Sequence, residues 1–435
     1  MTEKSSKRPN ILFIFSDQQH WQALGLQDPF FNTPAQDKVA RESVVFENSF
    51  CTTPQCSPSR SSMLTGLYPS KTGAWNNHKQ AGWHAFTTKT IGKYLQEAGY
   101  HTGYYGKWHL GNEPDGIAGW DERKFKVGDG LTTKNAGEFL KATKNNHDKP
   151  FALFLSYNNP HHVYAYKVNR FFFKEDSTPL PESWKKGSLE DRPSCQKIFM
   201  TDDQGIAIHE HPRKEWARYR DWYKKMNKRY DNQVGKVIKK LKEIGEYENT
   251  IIIITSDHGD MDTNHRLIHK GPFMYEHLVR VPLMIRVPEK FGGIKPRHVN
   301  DLHVVNVDLV PTILDLCGLD PIDCDGFSLK PTLTRESKQE NREFVIGQYH
   351  GKQTWVNPIR MIRTPKYKYN RYMPEGEELY DLENDPDELE NLAGNPEFDS
   401  IKSDLIAKLN GWIEENGDPF YTLDREGLPR EQRRN

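Results

Sequence analysis

Residues 51–66 read CTTPQCSPSRSSMLTG, and Cys56 in this stretch stands two residues before a proline and four before an arginine. Ser57 and Pro58 suit the cap and first residue of a helix through SRSSMLTG, which places Cys56 just before a helix N-terminus. There the thiolate is favoured, because the helix-end potential and the charge of Arg60 both lower a thiol pKa. The chemistry on offer is an activated nucleophile or a metal ligand. A buried structural cysteine is the alternative, and it is the reading kept for Cys51. A second block, GYYGKWHLG (103–111), sets Lys107 and His109 two apart, on one side of the segment if it is extended.

Such groups need elements to hold them. Three apolar runs ending in polar residues, NILFIFSD (10–17), FALFLSYNNP (151–160) and TIIIITSDHG (250–259), read as buried parallel strands. Helical patterns over 87–99, 216–245 and 307–318 lie around and between them. The alternation predicts an α/β fold with a large, mostly parallel sheet sandwiched by helices. Ligands collect at the carboxyl ends of such strands, so Asp17 and Asp257 are expected to meet although 240 positions apart. After about residue 335 the composition changes to short alternating strands and a terminal amphipathic helix (399–415). We divide the chain into a catalytic domain (1–335) and a smaller C-terminal α+β subdomain (336–435) with a short antiparallel sheet. Residues 163–215, rich in Pro, Lys and aromatics, read as an elaborated loop.

A Cys, a Pro and an Arg at fixed offsets arise by chance roughly once in tens of thousands of positions, given proline at about 5%. CSPSRSSMLTG resembles the C-x-P-x-R signature of the type I, formylglycine-dependent sulfatases of the alkaline-phosphatase-like superfamily, and further landmarks of that family follow in order along nearly the whole chain. The resemblance implies that Cys56 is oxidised to formylglycine by a sulfatase-maturing enzyme. The hydrated aldehyde would be the nucleophile, with Arg60 stabilising the hydrate.

The resemblance also assigns metal ligands: Asp17 and Gln18 in SDQQHW, residue 56, and Asp257 and His258 in SDHGD. Carboxylates with neutral donors suit a hard cation, so calcium is expected, with magnesium or manganese as alternatives. The common family pattern has Asp-Asp at the first pair and Asp-Asn at the second, whereas Asp17-Gln18 and Asp257-His258 are similar to phosphonate monoester hydrolases and choline sulfatases. Asp260, Asp262 and His265 read as loop structure.

By the same resemblance Lys107 binds sulfate, and His109 is the base when the sulfated intermediate collapses. His161 in NNPHHVY contacts sulfate and protonates the leaving oxygen, with His162 as the alternative. The family's second proline is replaced by Val163. Lys270 in HKGPFMYEH contacts the ester oxygen, and Asn77 in GAWNNH stands where relatives use an amide. In QYHGKQTWVNPIR, His350, Lys352, Gln353 and Trp355 are placed at the pocket rim as sugar-binding groups. His209 and His211 in HEHP read as a solvated loop. Trp75, Trp83, Trp108, Trp120 and Trp355 read mostly as core, with one or two near the site available to stack on sugar rings.

Lysines plus arginines number 60, as do aspartates plus glutamates, which gives no reason to propose a nucleic acid or an anionic membrane as partner. The five cysteines (51, 56, 195, 317, 324) are an odd number without zinc-like spacing, which argues against a disulfide framework. No apolar run is long enough to span a membrane. MTEKSSKRPN has basic residues but no apolar stretch after them, so the chain as written reads as cytoplasmic; a periplasmic or secreted protein that has lost its signal peptide would read the same.

The expectation is a sulfatase acting on a sulfate monoester, with a sulfated carbohydrate as substrate. The alternatives are a phosphonate or phosphate mono- or diester hydrolase on the same scaffold, and an inactive protein that binds anionic glycans.

Overall fold

The structure, a computed structural model, describes residues 8–80, 86–111, 118–144, 149–167, 178–334, 339–353 and 355–423. The division expected at 335/336 and the core role expected of Trp83 lie outside the described residues.

Eight strands form the main sheet: β1 (Asn10–Asp17), β2 (Val44–Phe50), β3 (His101–Gly106), β4 (Glu122–Phe125), β5 (Phe151–Pro160), β6 (Thr250–Ser256), β7 (Leu283–Arg286) and β8 (Arg297–Val305). Their order is β4-β3-β5-β1-β6-β7-β2-β8. All pairings are parallel except those of β7. β1 is buried along its whole length, as its unbroken apolar run requires of a strand covered on both faces.

Side-chain alternation decides which helix covers which face. Ile11, Phe13, Phe15, Ile251 and Ile253 pack with α1 (Cys56–Thr65), α2 (Ile91–Glu97) and α5 (Leu309–Leu316). Leu12, Ile14, Ile252 and Ile254 face the other way, onto α3 (Asp129–Thr143) and α4 (Arg213–Glu243). The helical readings of 87–99, 216–245 and 307–318 correspond to α2, α4 and α5. Thr90 caps α2, its hydroxyl accepting from the Gly92 N–H at 3.2 Å.

β9 (Val345–Lys352), β10 (Trp355–Arg363), β11 (Tyr367–Tyr372) and β12 (Glu377–Asp381) form a second, antiparallel sheet in the order β12-β11-β10-β9, with α6 (Asp399–Glu415) packed on it. It shares one apolar cluster with the ends of β2 and β8, through Phe50, Val305, Ile346, Ile359 and Ile362.

Residues 163–215 are more than a loop. A helix spans Ser194–Asp202, and Phe199, Met200 and Ile208 are buried with Trp216 and Tyr219 of α4. Proline interrupts the segment and its apolar residues are too sparse to show a period, which hid the helix from sequence reasoning.

Two glycines let backbones close on the site. A Cβ on Gly106, which has φ +108°, would lie 1.9 Å from the Ser156 carbonyl oxygen, and one on Gly259 would lie 1.9 Å from that of His277. Behind them, Lys368 of β11 is fully buried and donates to the Met274 carbonyl at 2.9 Å and to Glu276 at 3.3 Å, and it pairs with Glu388. The second sheet thereby fixes the 270–279 segment. Lys368→Met would leave the buried Glu388 without its cation while Glu276 keeps Arg363 and Arg280, and it should lower stability by about 3–5 kcal/mol; urea denaturation checks this.

Candidate active site

Ser16 of β1 pairs with Ser256 of β6, so Asp17 and Asp257 leave adjacent strands side by side. Both carboxylates are fully buried. Single ligand atoms of Asp17, Cys56, Asp257 and His258 all lie within 4.8 Å of one another. The juxtaposition expected from strand ends is therefore present.

α1 begins at Cys56 itself, after an extended Gln55 that makes no side-chain cap bond. Ser57 was expected to cap it, but tertiary partners claim that residue. Its hydroxyl donates to the His109 carbonyl at 2.5 Å, and its N–H donates to Asn77 Oδ1 at 3.0 Å. Cys56 thus sits in the first turn, where the helix-end potential is strongest, and Asn77 spends its carbonyl on the helix end.

One turn later Arg60 is fully buried. Its Nε donates to Asp257 Oδ2 at 2.8 Å, Nη2 to Asp17 Oδ2 at 3.1 Å, and Nη1 to the Lys107 carbonyl and Ser156 Oγ at 2.7 Å each. The guanidinium fork grips both carboxylates from behind and fixes the segment bearing Lys107. The structure shows these bonds where the sequence reading put the fork on the residue-56 hydrate.

Lys270 Nζ, nearly fully buried, lies 2.9 Å from Cys56 Sγ, 2.8 Å from Gln18 Oε1 and 3.0 Å from His258 Nε2. Lys107 Nζ pairs with Asp17 and lies 3.6 Å from Cys56 Sγ. Burial and the Asp17 charge raise the Cys56 thiol pKa, but the charges of Lys107 and then Lys270 work against them, and the thiol is held well below its usual range. Cys51 shows the contrast. Buried, with only hydrogen bonds to offset the loss of water, its thiol is pushed far up.

A divalent cation fits the donors present. Two carboxylates, the Gln18 amide oxygen and the His258 ring suit a hard ion. His258 Nδ1 donates to the Gly259 carbonyl at 2.8 Å, which leaves the Nε2 lone pair turned toward Cys56 Sγ, 3.3 Å away.

His161 opens the turn His161–Ala165 at the end of β5, half-buried beside Tyr164 at 4.8 Å between ring centroids. Burial comes first among the causes that hold its pKa well below the usual histidine range, followed by the opposing charge of Asp17 and then Lys107 and Lys270. His162 is exposed, and its carbonyl accepts from Trp222 Nε1 at 3.0 Å. His109 is half-buried with φ +60°. His161, His109 and Lys107 are half-buried, whereas Arg60 is fully buried.

His350 and Lys352 are buried in β9, not at an exposed rim. Alternation on a strand could not reveal this, because the 345–352 strand is covered on both faces by elements distant in sequence. Lys352 Nζ donates to Gln204 Oε1 at 2.6 Å and to the Lys270 carbonyl at 2.5 Å. Gln353 is exposed and Trp355 half-buried. His209 and His211 are exposed and line a cavity of about 440 Å³ with Met200 and Ile206. Trp75, Trp108 and Trp120 are core, as expected.

Sequence reasoning missed Ser156, Tyr219 and Tyr223. The hydroxyl of Tyr223 donates to the Gln18 carbonyl at 2.8 Å, which holds Gln18 at φ +80°. The available signal was a pair of tyrosines four apart on the buried stripe of α4, since a buried hydroxyl needs a partner.

A family model for sulfatases matches residues 9–319. The chain belongs to the sulfatase family. Like its family it is a sulfuric ester hydrolase, and the alkaline-phosphatase-like architecture expected from the sequence is the one observed. A model for the C-terminal region of N-sulphoglucosamine sulphohydrolase matches residues 263–415. Among curated relatives, a Delta 4,5-hexuronate-2-O-sulfatase of Bacteroides thetaiotaomicron is 27% identical, covering 98% of this chain and 93% of its own. An N-acetylglucosamine-6-O-sulfatase of the same organism is 28% identical, over 94% of this chain and 86% of its own. A solved 2-O GAG sulfatase superposes with a TM-score of 0.86 at 27% identity, over 98% of this chain and 96% of that one.

Burial, and then the charge of Lys270, push Lys352 of this sulfatase down to about 7 from 10.5. Between those values the folded state binds fewer protons than the unfolded chain, so this group favours folding more as pH rises from 7 toward 10. Lys352→Met should remove that increment, flattening the rise in melting temperature between pH 7 and 9.5 relative to wild type.

Proposed function

We propose that this sulfatase hydrolyses a sulfate monoester on a sulfated carbohydrate, using formylglycine made from Cys56 by a sulfatase-maturing enzyme and a divalent cation, calcium in the first place. The observation that carries the reading is the position of Cys56 Sγ, at a helix start within the buried Asp17, Asp257 and His258 cluster and 2.9 Å from Lys270 Nζ. The carbohydrate class rests on the hexuronate and N-acetylglucosamine sulfatases among the relatives.

Asp17, Gln18, Asp257, His258 and residue 56 would hold the cation. Hydrated formylglycine at 56 would supply an oxygen nucleophile toward sulfur, with the sugar oxygen as the group displaced, and the cation would supply charge for the ester oxygens. Lys107 and Lys270 orient the sulfate oxygens beside residue 56 and balance charge developing on them. Both ammonium groups keep their stems fixed, one by the Asp17 pair and the other by Gln18.

His161 protonates the departing sugar oxygen. An entering sulfate ester brings negative charge against its ring, which raises its proton affinity where it is needed. His109 would take the proton from the second hydroxyl of the residue-56 hydrate, which lets sulfate leave and the aldehyde re-form. Asn77, and less directly His162, border the approach. Lys352 supports the segment of Lys270 from within, and His350 packs beside Trp75.

The first test is mass spectrometry of the tryptic peptide ESVVFENSFCTTPQCSPSR (42–60) from protein made alongside a maturing enzyme. Formylglycine at 56 with Cys51 unmodified is the expected result. An intact Cys56 beside a matured control sulfatase would overturn the nucleophile assignment. Turnover of a panel of sulfated sugars should exceed that of an aryl phosphonate, and the reverse order would favour phosphonate hydrolysis.

His161→Ala should lower kcat on a sugar sulfate by about 10²–10⁴-fold. Nitrophenyl sulfate, whose leaving group needs little protonation, should lose far less. Equal losses on both substrates would take the acid role away from His161.

A further inference from the structure

Gln18 is the amide in the proposed ligand set, and an amide has two ends of opposite character. Only its oxygen can serve a cation or accept from Lys270; its NH₂ group would repel both. Something must decide which end faces the site.

Gln18 Oε1 accepts from Lys270 Nζ at 2.8 Å, and Gln18 Nε2 donates to Asp260 Oδ2 at 2.6 Å. An ammonium has no acceptor, so this orientation alone satisfies both neighbours. Asp260 is fully buried and is itself held. Its Oδ1 accepts from the Asp262 N–H at 2.7 Å and from the Tyr219 hydroxyl at 2.9 Å. That hydroxyl accepts in turn from the His269 N–H at 2.9 Å, one residue before Lys270. The His269 ring stacks on Tyr164 at 3.7 Å, and Tyr164 packs against His161. A layer of side chains behind the site therefore reaches from Gln18 to the segments carrying Lys270 and His161.

We propose that Asp260 is a positioning residue that selects the oxygen-inward orientation of the Gln18 amide and so completes the cation site. The inference rests on the metal-site reading of Asp17, Gln18, Asp257 and His258.

The geometry makes a sharp test available. In Asp260→Asn, the Asp262 N–H keeps the amide oxygen at the Oδ1 position, which turns the new NH₂ toward Gln18 Nε2. Two donors then face each other, and Gln18 must flip its NH₂ into the site. Asp260→Asn/Gln18→Glu repairs the mismatch, because a carboxylate at 18 accepts from the new NH₂ with one oxygen and presents the other inward. Gln18→Glu alone sets a carboxylate against Asp260 and gains nothing.

Calorimetric titration of calcium, magnesium and manganese into wild type and the three variants, with Asp257→Asn as a control, reads the effect without turnover. Asp260→Asn should weaken cation binding by about 10–100-fold, the range for a residue that orients a ligand from behind. The double variant should recover most of it, so that Gln18→Glu helps in the Asp260→Asn background and not in wild type. Wild-type affinity in Asp260→Asn, or a double variant no better than Asp260→Asn, would overturn the proposal while leaving the metal site in place. Wild type that binds none of the three ions, or Asp257→Asn that binds like wild type, would remove the metal site and the proposal with it.

Discussion

Two carboxylates, Asp17 and Asp257, are buried at the ends of neighbouring strands, and the rest of the site exists to make that tolerable and useful. Like charges at the separation of this cluster, within 4.8 Å, repel by roughly 3–4 kcal/mol at an effective dielectric of about 20. Arg60 answers from beneath with one donor to each carboxylate. Lys107 answers from the side. A divalent cation would complete the balance. In the proposed reaction the same converging positive charge that stabilises the carboxylates would also recognise a sulfate ester, so one electrostatic arrangement would serve both folding and binding.

That arrangement needs several chain segments to arrive at one point. β1 and β6 deliver the carboxylates in register, α1 delivers Cys56 and Arg60 one turn apart, and β3 ends at a glycine that lets Lys107 approach Ser156. The second sheet acts at a distance. Lys352 and Lys368 reach from β9 and β11 to backbone carbonyls at 270 and 274, so the segment holding Lys270 is built by both sheets. Two buried lysines in such a place cost free energy, and their return is the fixed direction of a third.

The core strands, the helices over them and the meeting of Asp17 with Asp257 were legible because long apolar runs and strand ends carry their own geometry. The C-x-P-x-R stretch was legible as chemistry because helix-start potential and a nearby arginine act over a few residues. The burial of His350 and Lys352, which the sequence placed at the rim, was not recoverable, since whether a strand is covered depends on segments far away in the chain. Asp260 read as loop structure for a similar reason. Its partners, Gln18 and Tyr219, lie 242 and 41 positions off.

The sequence by itself determined the residue types and local spacings: a cysteine and arginine one turn apart, carboxylates at strand ends, a lysine after a glycine. These follow from short-range sterics, helix periodicity and strand burial. Only the tertiary structure decided where each polar group points. It turned Arg60 onto two carboxylates, gave the Ser57 hydroxyl to a carbonyl instead of a helix cap, and set the amide of Gln18 between a carboxylate and an ammonium. Hydrogen-bond direction is settled by the partner across the gap, and in this fold those partners come from distant parts of the chain.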